Sequence, residues 1–197
     1  MFHINLDNSK RSAFASCPRK YYFQYVRHLQ PKKGAEPLLF GKVYHAFHEE
    51  YRKATKEGLS RDIKISKALI YGLSVWEKEL ACGYVIDAED FRTFENCYSA
   101  FLKYFETFPE DIEPVEIEYY FSEPLITAGG YDVAYAGKID CIGKLQKGED
   151  IAIFDDKTTS YSLNAIKEQS GRSAQFLGYS WIASKKFSIS TNIAYVN

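Results

Sequence analysis

The chain has 197 residues, of which 46% are apolar and 16% aromatic, enough to bury one substantial core and too apolar for a disordered segment. Its formal net charge of −1 excludes a uniformly basic protein that coats nucleic acid through its overall field, so contact with a polyanion must rest on a local patch. No stretch approaches the roughly 18 uncharged residues of a membrane span, and the N-terminus MFHINLDNSKR lacks the apolar core of a signal peptide. These features predict a soluble, cytoplasmic protein with no membrane partner, in which the scattered Cys17, Cys82, Cys97 and Cys141 remain reduced thiols without the paired spacing of a zinc site.

In chain order, residues 9–26 read as helical with an interruption at Cys17-Pro18, and 31–37 as a loop. Arg19, Lys20, Arg27, Lys32 and Lys33, interleaved with Tyr21, Tyr22 and Tyr25, form the best candidate patch for a polyanion, although an amphipathic helix with a solvated basic side produces the same pattern. Three helical stripes follow: Phe40, Tyr44, Phe47 and Tyr51; Ile65, Leu69, Leu73, Trp76 and Leu80; Phe91, Phe94, Tyr98, Phe101 and Phe105. After Phe108-Pro109 the period shortens to that of strands, at about 115–121, 131–143 and 150–155, divided by Gly129-Gly130 and Lys147-Gly148. A helix over about 174–185, with Ala174, Leu177, Gly178 and Trp181 on one face, leads to a strand near 189–196. With no repeat and no linker, the order predicts one α/β domain over residues 1–197, with a mainly helical lobe (1–110) and a mixed-sheet core flanked by helices (111–197).

The chemistry concentrates in GKIDCIGKL and IAIFDDKTTS. Asp140 interrupts a strand-like segment, and Asp155, Asp156 and Lys157 follow an apolar strand. Two adjacent strands that each deliver a carboxylate at one edge repel one another, and a hard divalent cation relieves that repulsion. Such a centre can neutralise charge on a phosphodiester in its transition state. Lys157 lies two residues after Asp155 and so points to the same side of an extended chain, where its ammonium can position water or stabilise developing charge. The sequence Asp-Asp-Lys-Thr-Thr-Ser is also ordinary turn composition. His45 lies off its helix's apolar stripe, on a face shared with His48 and Glu49, and Gln175 and Tyr179 stand one helical turn apart. The His45–Glu49 arrangement is not the HExxH zinc-protease motif.

Taken in order, Phe40-Gly41 leading to His45, GKID with Asp140, Asp155-x-Lys157 and Gln175-x-x-x-Tyr179 resemble the RecB-like branch of the PD-(D/E)xK nuclease superfamily. That branch includes CRISPR-associated exonucleases and the nuclease domains of recombination helicases. SAFASCPRKYYFQYV resembles the branch's N-terminal segment, and the likeness runs from about Ser9 to the last strand. The resemblance implies a restriction-endonuclease-like fold and a DNA substrate cut to leave a 5′-phosphate. It implies magnesium or manganese held by His45, Asp140 and Asp155, with the backbone carbonyl of Asp156 as a further ligand. Asp140, Asp155, Lys157, Gln175 and Tyr179 are then the catalytic set, and Arg19, Lys20, Tyr22, Gln175 and Tyr179 the substrate-binding set. An exonuclease is favoured over an endonuclease, working in DNA repair, recombination or phage- and CRISPR-related processing with a helicase, recombinase or integrase as partner. Glu116 and Glu118 are candidate acidic neighbours on the first predicted strand, equally suited to plain surface positions.

The likeness departs at one point: many members of the branch hold an iron–sulfur cluster with one N-terminal and three C-terminal cysteines. Cys17 matches the first position and no cysteine follows Cys141, so this sequence as given does not complete the set. The competing reading is a catalytically inactive nucleic-acid-binding or assembly module that retains the fold. Nothing in the sequence reads out the oligomeric state.

Overall fold

The computed structural model describes residues 2–29, 36–84, 86–87, 89–108, 112–145, 151–158, 173–187 and 194–196. The chain runs β1 (Phe2–Leu6), α1 (Asn8–Ser16), α2 (Pro18–Tyr21), a π-helical turn (Tyr22–Val26), α3 (Glu36–Lys56), α4 (Arg61–Ala81) and α5 (Phe94–Thr107). It continues as β2 (Ile112–Ala128), β3 (Tyr131–Leu145), β4 (Ile151–Asp155), α6 (Ala174–Phe187) and β5 (Ala194–Val196). A mixed sheet is thus flanked by helices, as the sequence predicts.

The long β3 organises the sheet. β2 pairs with it antiparallel from Ile112↔Leu145 to Ala128↔Tyr131. The two-residue connection places Gly129 (φ 58°) and Gly130 (φ 82°) in the left-handed region that a tight hairpin turn requires. Pro114 and Pro124 remove ladder donors from β2, and the register shifts just after each of them. Along its other edge β3 pairs with two strands in succession: parallel with β1 near Tyr131–Tyr135, and antiparallel with β4 over Cys141–Lys144. β5 then lies parallel to β4.

Alternation assigns the faces of the sheet. Ile142 and Ile153, register partners, pack with Tyr179, Ile182 and Ala183 beneath α6. Cys141 and Phe154, also partners, turn to the opposite face with Ile112 and Ala152. A separate aromatic core joins the helical lobe, where Phe47 of α3 is fully buried against Phe94, Tyr98 and Phe101.

Several expectations shift in detail. β1 was not expected; it carries only five residues from the segment read as the helical lobe, yet it joins the sheet. Helix α3 begins at Glu36, with Pro37 in its first turn, where a missing N–H costs nothing, so the predicted loop ends early; residues 31–35 of it lie outside the described residues. Leu73 and Phe91 are exposed, and Phe91 precedes α5. On α6 the buried side chains are Tyr179, Ile182 and Ala183, while Leu177 is 68% exposed, so the helix is rotated from the face expected. The predicted Lys147-Gly148 break and the start of the last strand lie outside the described residues.

Gly72 allows α4 to approach the Phe47 ring; a Cβ at that position would collide with it. The ring is boxed in by its neighbours, so overpacking near the upper end of its usual range, about 3 kcal/mol, outweighs the roughly 1 kcal/mol that alanine gains in a helix, and Gly72→Ala is expected to destabilise by about 2 kcal/mol. A lower urea midpoint is the result expected, and an unchanged or higher one would show that the helices can separate freely.

Candidate active site

The β3–β4 register that pairs Cys141 with Phe154 sets Asp140 and Asp155 opposite one another one step further along. Both are buried, at 7% and 1% exposure. Alternation gives the adjacent aspartates different surroundings. Asp155 shares the Ile153 side of β4 and meets α6, where Gln175 Nε2 donates to its Oδ1 at 3.0 Å. Lys157 returns to the same carboxylate, with Nζ 2.6 Å from Oδ2. Asp156 faces α3, and both its oxygens accept from the Arg52 guanidinium, at 2.5 and 2.9 Å.

Helix α3 supplies the wall opposite. His45 Nδ1 lies 3.2 Å from Asp140 Oδ2, the same oxygen that accepts the Asp156 backbone N–H at 3.0 Å. His48, three residues on, is fully buried among Tyr44, Phe101, Tyr104 and Phe105, with Nδ1 3.7 Å from Asp156 Oδ1. Arg52 completes the stripe one turn further. The α3 polar face therefore grips both the Asp140 and the Asp156 carboxylates.

The charges in this cluster act on one another. Burial pushes the Asp155 carboxyl above its ordinary range; the Lys157 ammonium opposes that shift and the Asp140 charge adds to it. Burial also disfavours ionised Asp156, but the Arg52 guanidinium, aided by His48, more than offsets this and holds the carboxyl well below the usual range. His45 moves the other way: burial lowers it, and the hydrogen bond and charge of Asp140 more than reverse the effect. Buried carboxylates crowded beside an imidazole make a donor set suited to a divalent cation. One ligand atom each from His45, Asp140 and Asp156 lies within 4.8 Å of the others. Asp156, expected to offer its backbone carbonyl, thus also brings its carboxylate to this group, while Asp155 faces Gln175 and Lys157.

Gln175 and Tyr179 link α6 to the sheet. The Gln175 amide donates to Asp155 and to the Tyr179 hydroxyl (3.1 Å), and that hydroxyl donates to the Lys138 carbonyl at 2.6 Å. Burial pushes the Tyr179 phenol up, so it remains a donor near neutral pH. Tyr179→Phe leaves the Lys138 carbonyl without that donor and is expected to cost about 1–3 kcal/mol. Urea denaturation checks this; a midpoint equal to wild type would mean that another group takes over the hydroxyl's role.

The remaining candidates separate. Lys20 and Gln175 line one cleft, together with Arg11 and Tyr25, whereas Arg19 and Tyr22 are not in its lining among the described residues. Arg19 stacks on Phe23, and Tyr22 packs against the same ring. Glu118, at a positive φ of 54°, pairs with Lys138, its near neighbour across the β2–β3 ladder. Cys17 caps α2, its Sγ accepting the Lys20 N–H at 3.4 Å. Arg52 and Arg11 were missed from sequence. The His45-His48-Arg52 spacing (i, i+3, i+7) is a signal for the first, whereas nothing local marks Arg11.

The chain matches the family described as the PD-(D/E)XK nuclease superfamily over residues 8–196. No curated protein matches it.

Proposed function

The chain belongs to the PD-(D/E)XK nuclease superfamily, and from that premise we propose that it is a divalent-metal-dependent DNA nuclease of the RecB-like branch, acting as an exonuclease. The observation that carries this reading is the meeting of buried Asp140, within β3, and Asp155, at the end of the antiparallel β4, with His45 and Lys157. His45, Asp140 and Asp155 are the proposed ligands, with the carbonyl of Asp156, because the Asp156 carboxylate already has its charge balanced by Arg52. Magnesium or manganese held there would serve as a Lewis acid that offsets the charge building on phosphoryl oxygens.

The chain's own groups supply the rest. The Lys157 ammonium, 41% exposed at the mouth of the site, can reach both Asp155 and an incoming phosphodiester, where it stabilises the pentacoordinate charge and orients the attacking water. Gln175 fixes one Asp155 oxygen, so that the carboxylate stays aimed as Lys157 moves between its partners. Asp140 is fixed in the same way by the Asp156 N–H. No helix among the described residues is long and apolar enough to cross a membrane. A cytoplasmic role in DNA repair, recombination or phage- and CRISPR-related processing, beside a helicase, recombinase or integrase, suits this chemistry.

The exonuclease reading is tested with linear and covalently closed circular DNA of one sequence under magnesium or manganese. Digestion of the linear form alone is expected; cutting of the circle at a similar rate would make the protein an endonuclease.

A further inference from the structure

We propose that the cleft between α1, the π-helical turn and the start of α6 is a seat for a single nucleic-acid strand, which delivers that strand to the carboxylates. The inference rests on the nuclease reading and adds which form of DNA the site accepts and which residues hold it. The cleft has a volume of about 510 Å³ and includes Arg11, Ser12, Lys20, Gln24, Tyr25 and Gln175 in its lining. Two cations line it and, among the described residues, no carboxylate does, although the chain as a whole carries a slight negative charge. A concavity with that lining selects for an anion with hydrogen-bonding oxygens.

Two further features narrow the ligand. Tyr25 presents an aromatic ring to the same space, held 5.4 Å from Tyr21, which in turn meets Phe14 edge-on at 5.5 Å. A ring braced in this way is a stacking surface for an unpaired base, and cations beside it suit the phosphate of the same nucleotide. The π-helical turn then brings these groups together. Arg27 N–H bonds to the Tyr22 carbonyl in i→i+5 fashion, which widens the coil so that Lys20, Gln24 and Tyr25 open onto one side. A regular α-helix would turn the residue five places after Lys20 away from it.

The far wall of the cleft names its destination. Gln175 lines the cleft and also donates to Asp155, so a strand seated on Arg11, Lys20 and Tyr25 is led toward the catalytic carboxylates. The volume is that of a small-ligand pocket, with room for one or two nucleotides of a strand and none for a base-paired duplex. A duplex would therefore present a frayed end to this seat.

Binding in EDTA separates this seat from catalysis. Fluorescence anisotropy is measured with a fluorescein-labelled oligo-dT strand and with a blunt duplex of equal length, over a salt series. The wild type is expected to favour the single strand. Arg11→Ala/Lys20→Ala should reduce the slope of log affinity against log salt by about 1.4, the share of two phosphate contacts on a single strand. Tyr25→Ala should weaken binding by about 5- to 150-fold, equivalent to roughly 1–3 kcal/mol of base stacking, with the salt slope unchanged and with Tyr25→Phe restoring affinity. Both cations are exposed, so an unchanged thermal midpoint is expected for the double variant. Equal or tighter duplex binding, no single-strand binding, or a salt slope unmoved in the double variant would overturn the proposal. A wild type that binds the single strand as described but cuts no DNA with metal would overturn the nuclease reading and leave the seat standing.

Discussion

Lys157→Ala is expected to lower kcat for DNA cleavage about 10²–10³-fold, the usual cost of removing one preorganised stabiliser of transition-state charge, while DNA affinity and fold remain near wild type. The side chain is 41% exposed and its ammonium contacts the Asp155 carboxylate, so little packing is lost with it. What is lost is a cation that contacts the buried Asp155 carboxylate from the mouth of the site, where a phosphate would approach. Single-turnover kinetics at saturating DNA, with anisotropy for affinity, separates the two effects. A loss confined to affinity would make Lys157 a phosphate contact only, and an unchanged rate would remove it from the catalytic set.

The largest expected effect on stability is at Arg52. Its guanidinium is 1% exposed and binds both oxygens of an equally buried Asp156. Arg52→Met strands that carboxylate in the interior, which costs about 3–5 kcal/mol and lowers Tm by about 6–20 °C in a chain of this size. Replacing both partners removes the stranded charge, so Arg52→Met/Asp156→Leu should recover most of the loss, and a double-mutant cycle measures the coupling. Additive effects would mean that the pair contributes nothing as a pair. The recovered double variant also separates the two ligand sets: metal-dependent cleavage should persist if Asp156 acts through its carbonyl. Its abolition in a stably folded double variant would place the Asp156 carboxylate among the ligands.

Arg52 also marks what the sequence could convey. The stripes of α3, α4 and α5, the Gly129-Gly130 hairpin and the positions of Asp140 within one strand and Asp155 at the end of the next follow from local periodicity and turn chemistry, and so were legible. An arginine on a helix reads as solvated until its partner, 104 positions away, is known. β1 was hidden for the same reason: FHINL is short and half polar, and what makes it a strand is parallel pairing with Tyr131–Tyr135. On α6 two apolar stripes overlap. The one ending at Trp181 was expected inside, but Gln175 and Tyr179 must reach Asp155 and Lys138, which turns Ile182 and Ala183 into the sheet and leaves Leu177 outside. The hydrogen bonds of Gln175 and Tyr179 thus set an orientation that apolar periodicity alone did not convey.

The most direct measurement is cleavage of end-labelled linear single- and double-stranded DNA by the wild type and Asp140→Ala, with magnesium, with manganese and with EDTA. The expected result is cutting by the wild type with either metal, none in EDTA, and none by an Asp140→Ala variant shown by circular dichroism to be folded. A folded wild type that leaves both substrates intact with either metal, or an Asp140→Ala variant that cuts at the wild-type rate, would contradict it.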